Sequence, residues 1–232
     1  MENKNTGLVI GSLDYKEKSK IVYLYTPFGK KSVLATGSKA IKNNMLGFTT
    51  TLNQVDYIST NANLPRLIEF NLIKSGFDLI TSIEKIEAIK IILKIIQAIP
   101  EDSNHSKIYS FLISTIDALY ITNPKKVLSI FLTKMLYAFG VNPNFDSCLE
   151  CGKKEIYSFV PLHGGGYCKE HSSSHNLGIY NILREYYYEK ANMEAYTNTD
   201  FDVLIIELIK YYAVHAHIDL KLSNNSQNNW LC

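Results

Sequence analysis

The chain has 232 residues, of which 46% are hydrophobic and 20% charged, a composition typical of a folded protein with one or two domains and not of a disordered one. Its net charge of +2 does not by itself indicate a nucleic-acid-binding protein. The first 50 residues hold eight lysines against three acidic residues, a net +5, and the total of +2 leaves −3 for the other 182 residues. This asymmetry predicts an anionic partner at the N-terminal end, although a solvated lysine-rich surface would give the same pattern.

No segment has the features of a secretory signal or a membrane span. The opening residues MENKNTG contain no apolar core, and the most apolar stretch, Ile86 to Ile99, is interrupted by Lys90 and Lys94. We therefore expect a cytoplasmic protein with no membrane partner. Thiols stay reduced in that compartment, so clustered cysteines there indicate a metal site more than disulfides.

Short runs rich in β-branched and aromatic residues predict that the N-terminal part is all β. The predicted strands cover residues 7–13, 20–26, 31–36, 52–59 and 64–73. Turn signals at 14–16 and 27–29 separate the first three strands. Four or five strands over about 75 residues suit a small closed barrel, because closure removes the edge strands that would otherwise aggregate.

From residue 81 the apolar pattern has a helical period. The capping-box spacing of Thr81 and Glu84, followed by an apolar stripe that ends before Pro100, predicts the first helix. Asn123 and Pro124 are a typical N-cap and first residue of a later helix that closes at Gly140. The other predicted helices cover residues 108–119, 177–192 and 201–222, with an irregular stretch at 141–175 and a frayed tail after 222. The chain is thus predicted to be an α+β protein in which a helical domain follows a β domain.

Two short cysteine-containing motifs predict a metal site. Cys148 and Cys151 form one C-x2-C pair, and Cys168 and His171 form a C-x2-H pair, with 16 residues between Cys151 and Cys168. Each pair can hold a metal ion from a tight turn, and Gly152 provides the backbone freedom that such a turn uses. Four sulfur and nitrogen ligands match the closed tetrahedral shell of structural zinc and leave no position for a catalytic water. We therefore predict one structural zinc ion at these four residues.

The remaining histidines do not indicate a second site, and no catalytic constellation stands out. His163 and His175 flank the cluster and could replace His171, but the spacing favours His171. His215 and His217 lie two apart on a predicted helix and face different directions. The chain has no phosphate-binding glycine loop, and none of its six histidines is followed two residues later by the glutamate that nucleobase deaminases require. These absences favour a protein that is not an enzyme.

A series of short motifs resembles the RecO family of bacterial DNA repair proteins. In the N-terminal part these motifs are Gly7–Ile10, Asp14–Glu17, Leu24–Thr26, Gly29-Lys30 and Ala35–Lys39. In the C-terminal part they are Phe139–Pro143, Cys148–Gly152, Phe159–Pro161, Gly164–Cys168 and His217–Ser223. No single motif is decisive, but their order and spacing over nearly the whole chain are specific.

The resemblance implies an architecture and a function. It implies an N-terminal OB-fold barrel at 1–79, a helical domain at 80–147 and 173–232, and a zinc finger at 148–172. It also implies a nucleoid-associated recombination mediator that binds single- and double-stranded DNA, anneals complementary strands and helps RecR to load RecA at gaps covered by the single-strand-binding protein. Two positions depart from the family pattern: the segment Lys39–Asn43 has less arginine than usual, and His171 replaces a frequent cysteine.

A mediator of this kind needs a basic surface that neutralises phosphates, with aromatic rings for base stacking. The lysines on or beside the predicted strands that could line such a surface are Lys20, Lys30, Lys31, Lys39 and Lys42. The aromatic residues that could stack on bases, or belong to the core, are Tyr15, Tyr23, Tyr25 and Phe28. Because Tyr23 and Tyr25 share a strand face, we expect both to be buried or both exposed.

The surface for the single-strand-binding protein is less defined. Lys125, Lys126 and Lys134 lie near apolar residues of the third predicted helix and could contribute to it. The alternative function is a zinc-finger scaffold for protein interactions that does not anneal DNA directly.

Overall fold

The computed structural model describes residues 3–39, 45–172, 177–189, 196 and 201–220. The chain divides into two compact units, neither of which is continuous in sequence. The first unit comprises Met1–Ile86 and Glu101–Ile121, and the second comprises Glu87–Pro100 and Thr122–Cys232. The domain limits at 79, 147 and 172 stay predictions. Within the described ranges, no helix is both long and apolar enough to cross a bilayer.

Five strands form one antiparallel sheet in the first unit. They are β1 (Asn3–Tyr15), β2 (Ser19–Thr26), β3 (Gly29–Ala35), β4 (Gln54–Ser59) and β5 (Leu67–Lys74), in the order β3-β2-β1-β4-β5. Side chains alternate between core and surface along β2, where Val22 and Leu24 are buried and Tyr23 between them is exposed. The short helix α1 (Leu46–Thr49) adds Phe48 to the core. The buried cluster is Val9, Val22, Leu24, Val33, Ala35, Phe48, Val55 and Tyr57.

The two edge strands of this sheet approach each other without closing it. β3 forms one isolated parallel bridge, between Leu34 and the residue just before β5, Arg66, beside a 2.8 Å hydrogen bond from the Leu34 amide to the Pro65 carbonyl. Pro65 has no N–H, and the Arg66 N–H donates to Thr60 Oγ1 at 2.9 Å, so neither residue can extend a ladder. The predicted full closure is therefore wrong, while the strand order and the single bridge match the partly open five-stranded barrel of an OB-fold.

Helix α3 (His105–Ile121) packs against the sheet of the first unit. His105 Nδ1 lies 2.9 Å from the Tyr25 hydroxyl, and Lys74 Nζ lies 2.6 Å from Asp117 Oδ1. Tyr25 is consequently buried, whereas Tyr23, two residues earlier on the same strand face, is 37% exposed. The expectation that both rings share one environment is wrong, because α3 covers only one end of that face.

Besides α3, the structure describes four further long helices. They are α2 (Ile83–Ala98), whose residues from Glu87 onward belong to the second unit, α4 (Pro124–Met135), α5 (Leu177–Tyr188) and α6 (Phe201–His215). The Asn123 side chain accepts hydrogen bonds from the amides of Lys125 and Lys126, as its predicted capping role requires. Helix α4 ends at Met135, and a 3-10 helix (Leu136–Phe139) continues it to Gly140, whose φ of +66° ends the helical region where the sequence predicted. At the start of α2, the Lys85 amide donates to Ser82 Oγ at 3.3 Å. The capping oxygen there is thus that of Ser82 and not that of Thr81, the residue predicted.

The stretch predicted to be irregular contains a small sheet. Its strands are β6 (Asn144–Cys148), β7 (Ser158–Val160) and β8 (Gly165–Tyr167), in the order β6-β8-β7. Strands of three to five residues carry too little alternation to be recognised in a sequence. Helix α6 ends at His215 and not at 222, because His217 adopts a left-handed φ of +56° and the Ile218 amide turns back to the Tyr212 carbonyl at 3.1 Å.

Candidate metal centre and nucleic-acid surface

Four ligand atoms meet at one end of the small sheet. The sulfurs of Cys148, Cys151 and Cys168 and a ring nitrogen of His171 all lie within 4.8 Å of one another. Cys148 Sγ is 3.7 Å and Cys168 Sγ 3.3 Å from His171 Nδ1, and the sulfurs of Cys151 and Cys168 are 3.7 Å apart. A tetrahedron with metal–sulfur bonds of about 2.3 Å has edges of about 3.8 Å, so this geometry could hold one metal ion.

Two tight turns present these ligands. In the first turn, the Gly152 amide donates to the Cys148 carbonyl at 2.9 Å, with Gly152 at a φ of +72°. In the second, the His171 amide donates to the Cys168 carbonyl at 3.1 Å. Strands β6 and β8 are paired neighbours, and each leads directly into one of the turns. The pairing therefore brings the two motifs together although 16 residues separate them in the sequence.

The surroundings of the cluster favour the thiolate form of two of the three cysteines. Burial disfavours the Cys148 thiolate, but the backbone amides of Cys168, Cys151 and Glu150 outweigh it and lower the Cys148 pKa to about 6. Burial opposes ionisation of Cys168 in the same way, and its pKa is lowered by hydrogen bonds from His171. Contact with these two thiols raises the His171 pKa. At Cys151 the Lys153 amide favours the thiolate, but burial and the neighbouring thiols outweigh it and raise the Cys151 pKa. Sulfur ligands that ionise readily are those that a soft or borderline divalent cation requires.

The flanking histidines are engaged elsewhere in the part of the chain that the structure describes. His163 Nδ1 lies 2.7 Å from the Tyr167 hydroxyl, and His215 Nε2 lies 3.0 Å from the Pro161 carbonyl. His175 lies outside the described residues. His171 is therefore the histidine that the fold places beside the three cysteines.

The finger-like segment is packed into the second unit. The rings of Phe145 and Phe159 stack with centroids 5.2 Å apart, and the Tyr180 hydroxyl of α5 donates to the Phe145 carbonyl at 2.6 Å. Cys148 and Cys168 are 2% and 4% exposed. A metal ion at the cluster would thus stabilise residues that also belong to the helical core.

The lysines predicted to bind DNA fall into two groups. At the β1–β2 hairpin, Lys39 Nζ lies 2.8 Å and Lys20 Nζ 4.0 Å from the carboxylate of Asp14. At the β2–β3 hairpin, Lys30 and Lys31 are exposed. Lys42 lies outside the described residues. The role of all five in DNA binding stays a prediction.

The strand register sets the distance between these groups. Lys20 pairs with Ala35, and Tyr25 pairs with Lys30. The two pairs are five positions apart along β2, which corresponds to about 17 Å along a strand. Lys30 and Lys31 are consecutive, so their side chains leave opposite faces of β3. The lysines consequently form two clusters at the ends of one hairpin rather than one continuous groove.

Exposed aromatic rings lie between and beside these clusters. Tyr23 is paired with Gly11 of β1, whose missing side chain leaves that side of the ring uncovered. Phe28, at the β2–β3 turn, is 77% exposed. Tyr15 is half-buried, and the Lys16 ammonium lies 5.3 Å from its ring centre. Tyr23 and Phe28 are thus the accessible rings of the four predicted, and Tyr25 is part of the core.

The lysines of α4 are used within the second unit. Lys125 Nζ lies 2.7 Å from Asp202 Oδ2, and Lys134 Nζ donates to the carbonyls of Tyr187 and Glu189 at the end of α5. Lys126 is only 4% exposed. These intramolecular contacts do not favour the expectation that α4 presents a basic surface to another protein.

Sequence reasoning missed two residues that shape the candidate DNA surface. Asp14 neutralises part of the positive charge of this surface. His105, which lies 80 positions after Tyr25 in the sequence, covers the Tyr25 ring from helix α3. A signal for Asp14 was present, because it stands in a hairpin with Lys16, Lys18 and Lys20. No local signal could have indicated His105.

Comparison with known proteins covers nearly the whole chain. Residues 1–75 match the family described as Recombination protein O N terminal, and residues 81–221 match Recombination protein O C terminal. The DNA repair protein RecO of Bacillus mycoides (strain KBAB4) is 29% identical over 177 residues, 74% of this chain and 71% of that protein. The DNA repair protein RecO of Clostridium perfringens (strain 13 / Type A) is 28% identical over 191 residues, 77% of each chain.

A third relative extends this similarity over almost the full length. The DNA repair protein RecO of Bacillus cereus (strain AH187) is 25% identical over 236 aligned residues, 95% of each chain. The names of these relatives describe DNA repair and specify no catalytic activity. With both family regions matched in order, this chain belongs to the RecO family of DNA repair proteins.

Proposed function

We propose that this protein is a non-enzymatic recombination mediator that binds single-stranded DNA along the β2–β3 hairpin and anneals complementary strands. The observation that supports the proposal is the combination of exposed lysines and exposed rings on this hairpin, at Lys30, Phe28 and Tyr23. OB-folds bind oligonucleotides on the face that strands 2 and 3 form. The proposal includes double-stranded DNA, since a basic surface also neutralises the phosphates of a duplex.

Phosphate neutralisation is the proposed source of affinity. Lysine clusters about 17 Å apart can contact phosphates several nucleotides away from each other on one strand. Rings between the clusters can stack on bases of any sequence. Annealing brings two polyanions together, so a protein surface that neutralises one strand lowers the repulsion of the second. No group on this surface needs to perform a chemical reaction.

The metal centre has a structural role in this proposal. We propose that Cys148, Cys151, Cys168 and His171 hold one zinc ion, because three thiolates and one imidazole form a closed shell that zinc prefers. The lysines and glutamates of residues 150–170 balance, since Lys153, Lys154 and Lys169 stand against Glu150, Glu155 and Glu170. The segment therefore adds no net positive charge for DNA, and its packing against α5 favours a role in stabilising the second unit.

Partners of the mediator are proposed from the family. The protein would help RecR to load RecA at gaps covered by the single-strand-binding protein, in the cytoplasm and near the nucleoid. The alternative is a scaffold that contacts proteins but not DNA. The annealing experiment described next separates the mediator from the scaffold.

The proposal is tested by annealing of complementary oligonucleotides, one of them labelled, with protein of measured metal content. We expect acceleration that weakens steeply between about 50 mM and 200 mM salt, because each phosphate contact releases counterions. Acceleration without salt dependence would contradict the basic-surface mechanism. Metal-loaded protein that neither binds nor anneals DNA would favour the scaffold instead.

Tyr23 gives a sharper test of the surface. Replacing Tyr23 with Ala should weaken binding of single strands by roughly 1–3 kcal/mol, the range for loss of one stacked base. Replacing it with Phe keeps the ring and should leave affinity within about twofold of the original protein. Fluorescence anisotropy with a labelled oligothymidylate measures both variants. Equal losses in the two variants would show that the hydroxyl, and not stacking, contributes the affinity.

A further inference from the structure

Asp14 lies at the centre of the lysine cluster on the β1–β2 hairpin. It pairs with Lys20 in the register of β1 and β2, and its carboxylate lies 2.8 Å from Lys39 Nζ and 4.0 Å from Lys20 Nζ. The Asp14 side chain is 65% exposed, while those of Lys39 and Lys20 are 28% and 32% exposed. The carboxylate thus faces solvent, and the two amines lie around it.

Backbone contacts fix this arrangement. The segment after β3 turns back onto the hairpin, where the Lys39 amide donates to the Lys18 carbonyl at 3.3 Å. The Lys39 ammonium also donates to the Lys16 carbonyl at 3.4 Å. Lys39 is therefore held beside Asp14 by three separate contacts. Hydrogen bonding from Lys39 lowers the Asp14 pKa, so the carboxylate is ionised at neutral pH.

A carboxylate held between two amines occupies the position that a phosphodiester would take. Both are oxyanions that accept charge-assisted hydrogen bonds from ammonium groups. An incoming strand must either displace Asp14 from Lys39 and Lys20 or bind elsewhere. In the first case, each new phosphate contact contributes less binding free energy, because it replaces an ion pair that already exists in the free protein.

We propose that Asp14 is an intramolecular counter-ion that competes with DNA phosphate for Lys39 and Lys20, and so limits the affinity of the hairpin for DNA. This inference rests on the proposed function, because it assumes that Lys20 and Lys39 form one of the two lysine clusters that contact DNA phosphates. A limited affinity suits a protein that has to release the duplex after annealing. Asp14 would then set the balance between capture of a strand and release of the product.

The hairpin contains a matched control. Glu17 carries the same charge, is exposed, and makes no ion pair among the described residues. Asp14→Asn and Glu17→Gln each remove one negative charge from the same hairpin with little change in shape. A general effect of net charge would appear in both proteins, whereas release of the two amines would appear only in the first.

Binding of a labelled oligothymidylate by the full chain, at about 50 mM salt, tests the inference. We expect Asp14→Asn to bind roughly threefold to tenfold more tightly than the original protein, and Glu17→Gln to change affinity by less than about twofold. The difference should shrink as salt screens the exposed charges. In protein that already carries Lys39→Gln and Lys20→Gln, Asp14→Asn should have little further effect, because the amines that it would release are gone.

The outcomes separate the inference from the function on which it rests. Tight binding by the original protein with no gain in Asp14→Asn, or an equal gain in Glu17→Gln, would overturn the counter-ion role and leave DNA binding intact. A persistent gain in the Lys39→Gln, Lys20→Gln background would overturn it as well. Absence of binding by every protein would overturn the proposed function together with the inference. Thermal unfolding of each variant verifies that the fold is retained.

Discussion

The Cys148→Ser protein is expected to purify with far less than one zinc ion per chain and to unfold at a markedly lower temperature. Cys148 is 2% exposed and ends strand β6, so its loss removes a ligand and leaves a hydroxyl in the core. Structural zinc contributes on the order of 10 kcal/mol to the folding of small finger modules. Even if less than half of that is lost here, the unfolding midpoint should fall by about 10 °C. Inductively coupled plasma mass spectrometry and calorimetry measure the two effects.

Two control variants make the assignment of ligands specific. Cys232→Ser removes a thiol that lies outside the described residues, and it should leave the metal content unchanged. His163→Gln should also retain the metal, since His163 contacts the Tyr167 hydroxyl, whereas His171→Gln should lose affinity for it. If His163→Gln lost the metal and His171→Gln kept it, the fourth ligand would have been assigned wrongly.

The second large effect is expected from charge reversal at the β2–β3 turn. The protein with Lys30→Glu and Lys31→Glu should bind single strands at least about tenfold more weakly at low salt. If both lysines contact phosphates, the slope of log affinity against log salt should fall by at least about 1.4, at roughly 0.7 for each contact on a single strand. Fluorescence anisotropy over a salt series measures both quantities.

Lys30→Glu and Lys31→Glu, made one at a time, show how much each face of β3 contributes to the loss of affinity. Lys30 lies in register with Tyr25 on the strand face that also carries Tyr23, and Lys31 leaves the opposite face. Lys30→Glu should therefore cause the larger loss. Lys90→Glu with Lys154→Glu changes two exposed lysines of the second unit and controls for net charge. Equal losses in the control would show that the β2–β3 turn is not a specific DNA surface.

The strands and helices could be predicted where the pattern of residue types along the sequence matches which side chains are buried and which are exposed. The β-branched and aromatic residues of 20–26 predicted strand β2, and the side chain of Asn123 caps α4 as its position before Pro124 predicted. The two tight turns that hold Cys148, Cys151, Cys168 and His171 were also predictable, because the spacing within each pair indicates a turn. In each of these cases the determining contacts lie within a few residues along the chain.

The features that sequence reasoning missed depend on contacts between distant residues. Burial of Tyr25 depends on His105, which lies 80 positions away. The incomplete closure of the sheet depends on where Pro65 meets Leu34. The neutralisation of Lys39 depends on a turn after β3 that returns the chain to Asp14. None of these has a local periodicity that a sequence pattern could show.

The interleaving of the two units constrains the order in which the chain can fold during its synthesis. Residues 87–100 leave the first unit, residues 101–121 return to it, and the remainder belongs to the second. The ribosome must therefore release residue 121 before the first unit has all its parts, and a fragment that ends at 79 lacks the helix that covers Tyr25. A nascent chain paused before that point exposes an aromatic ring that the finished protein buries, and such transient exposure of apolar surface favours aggregation.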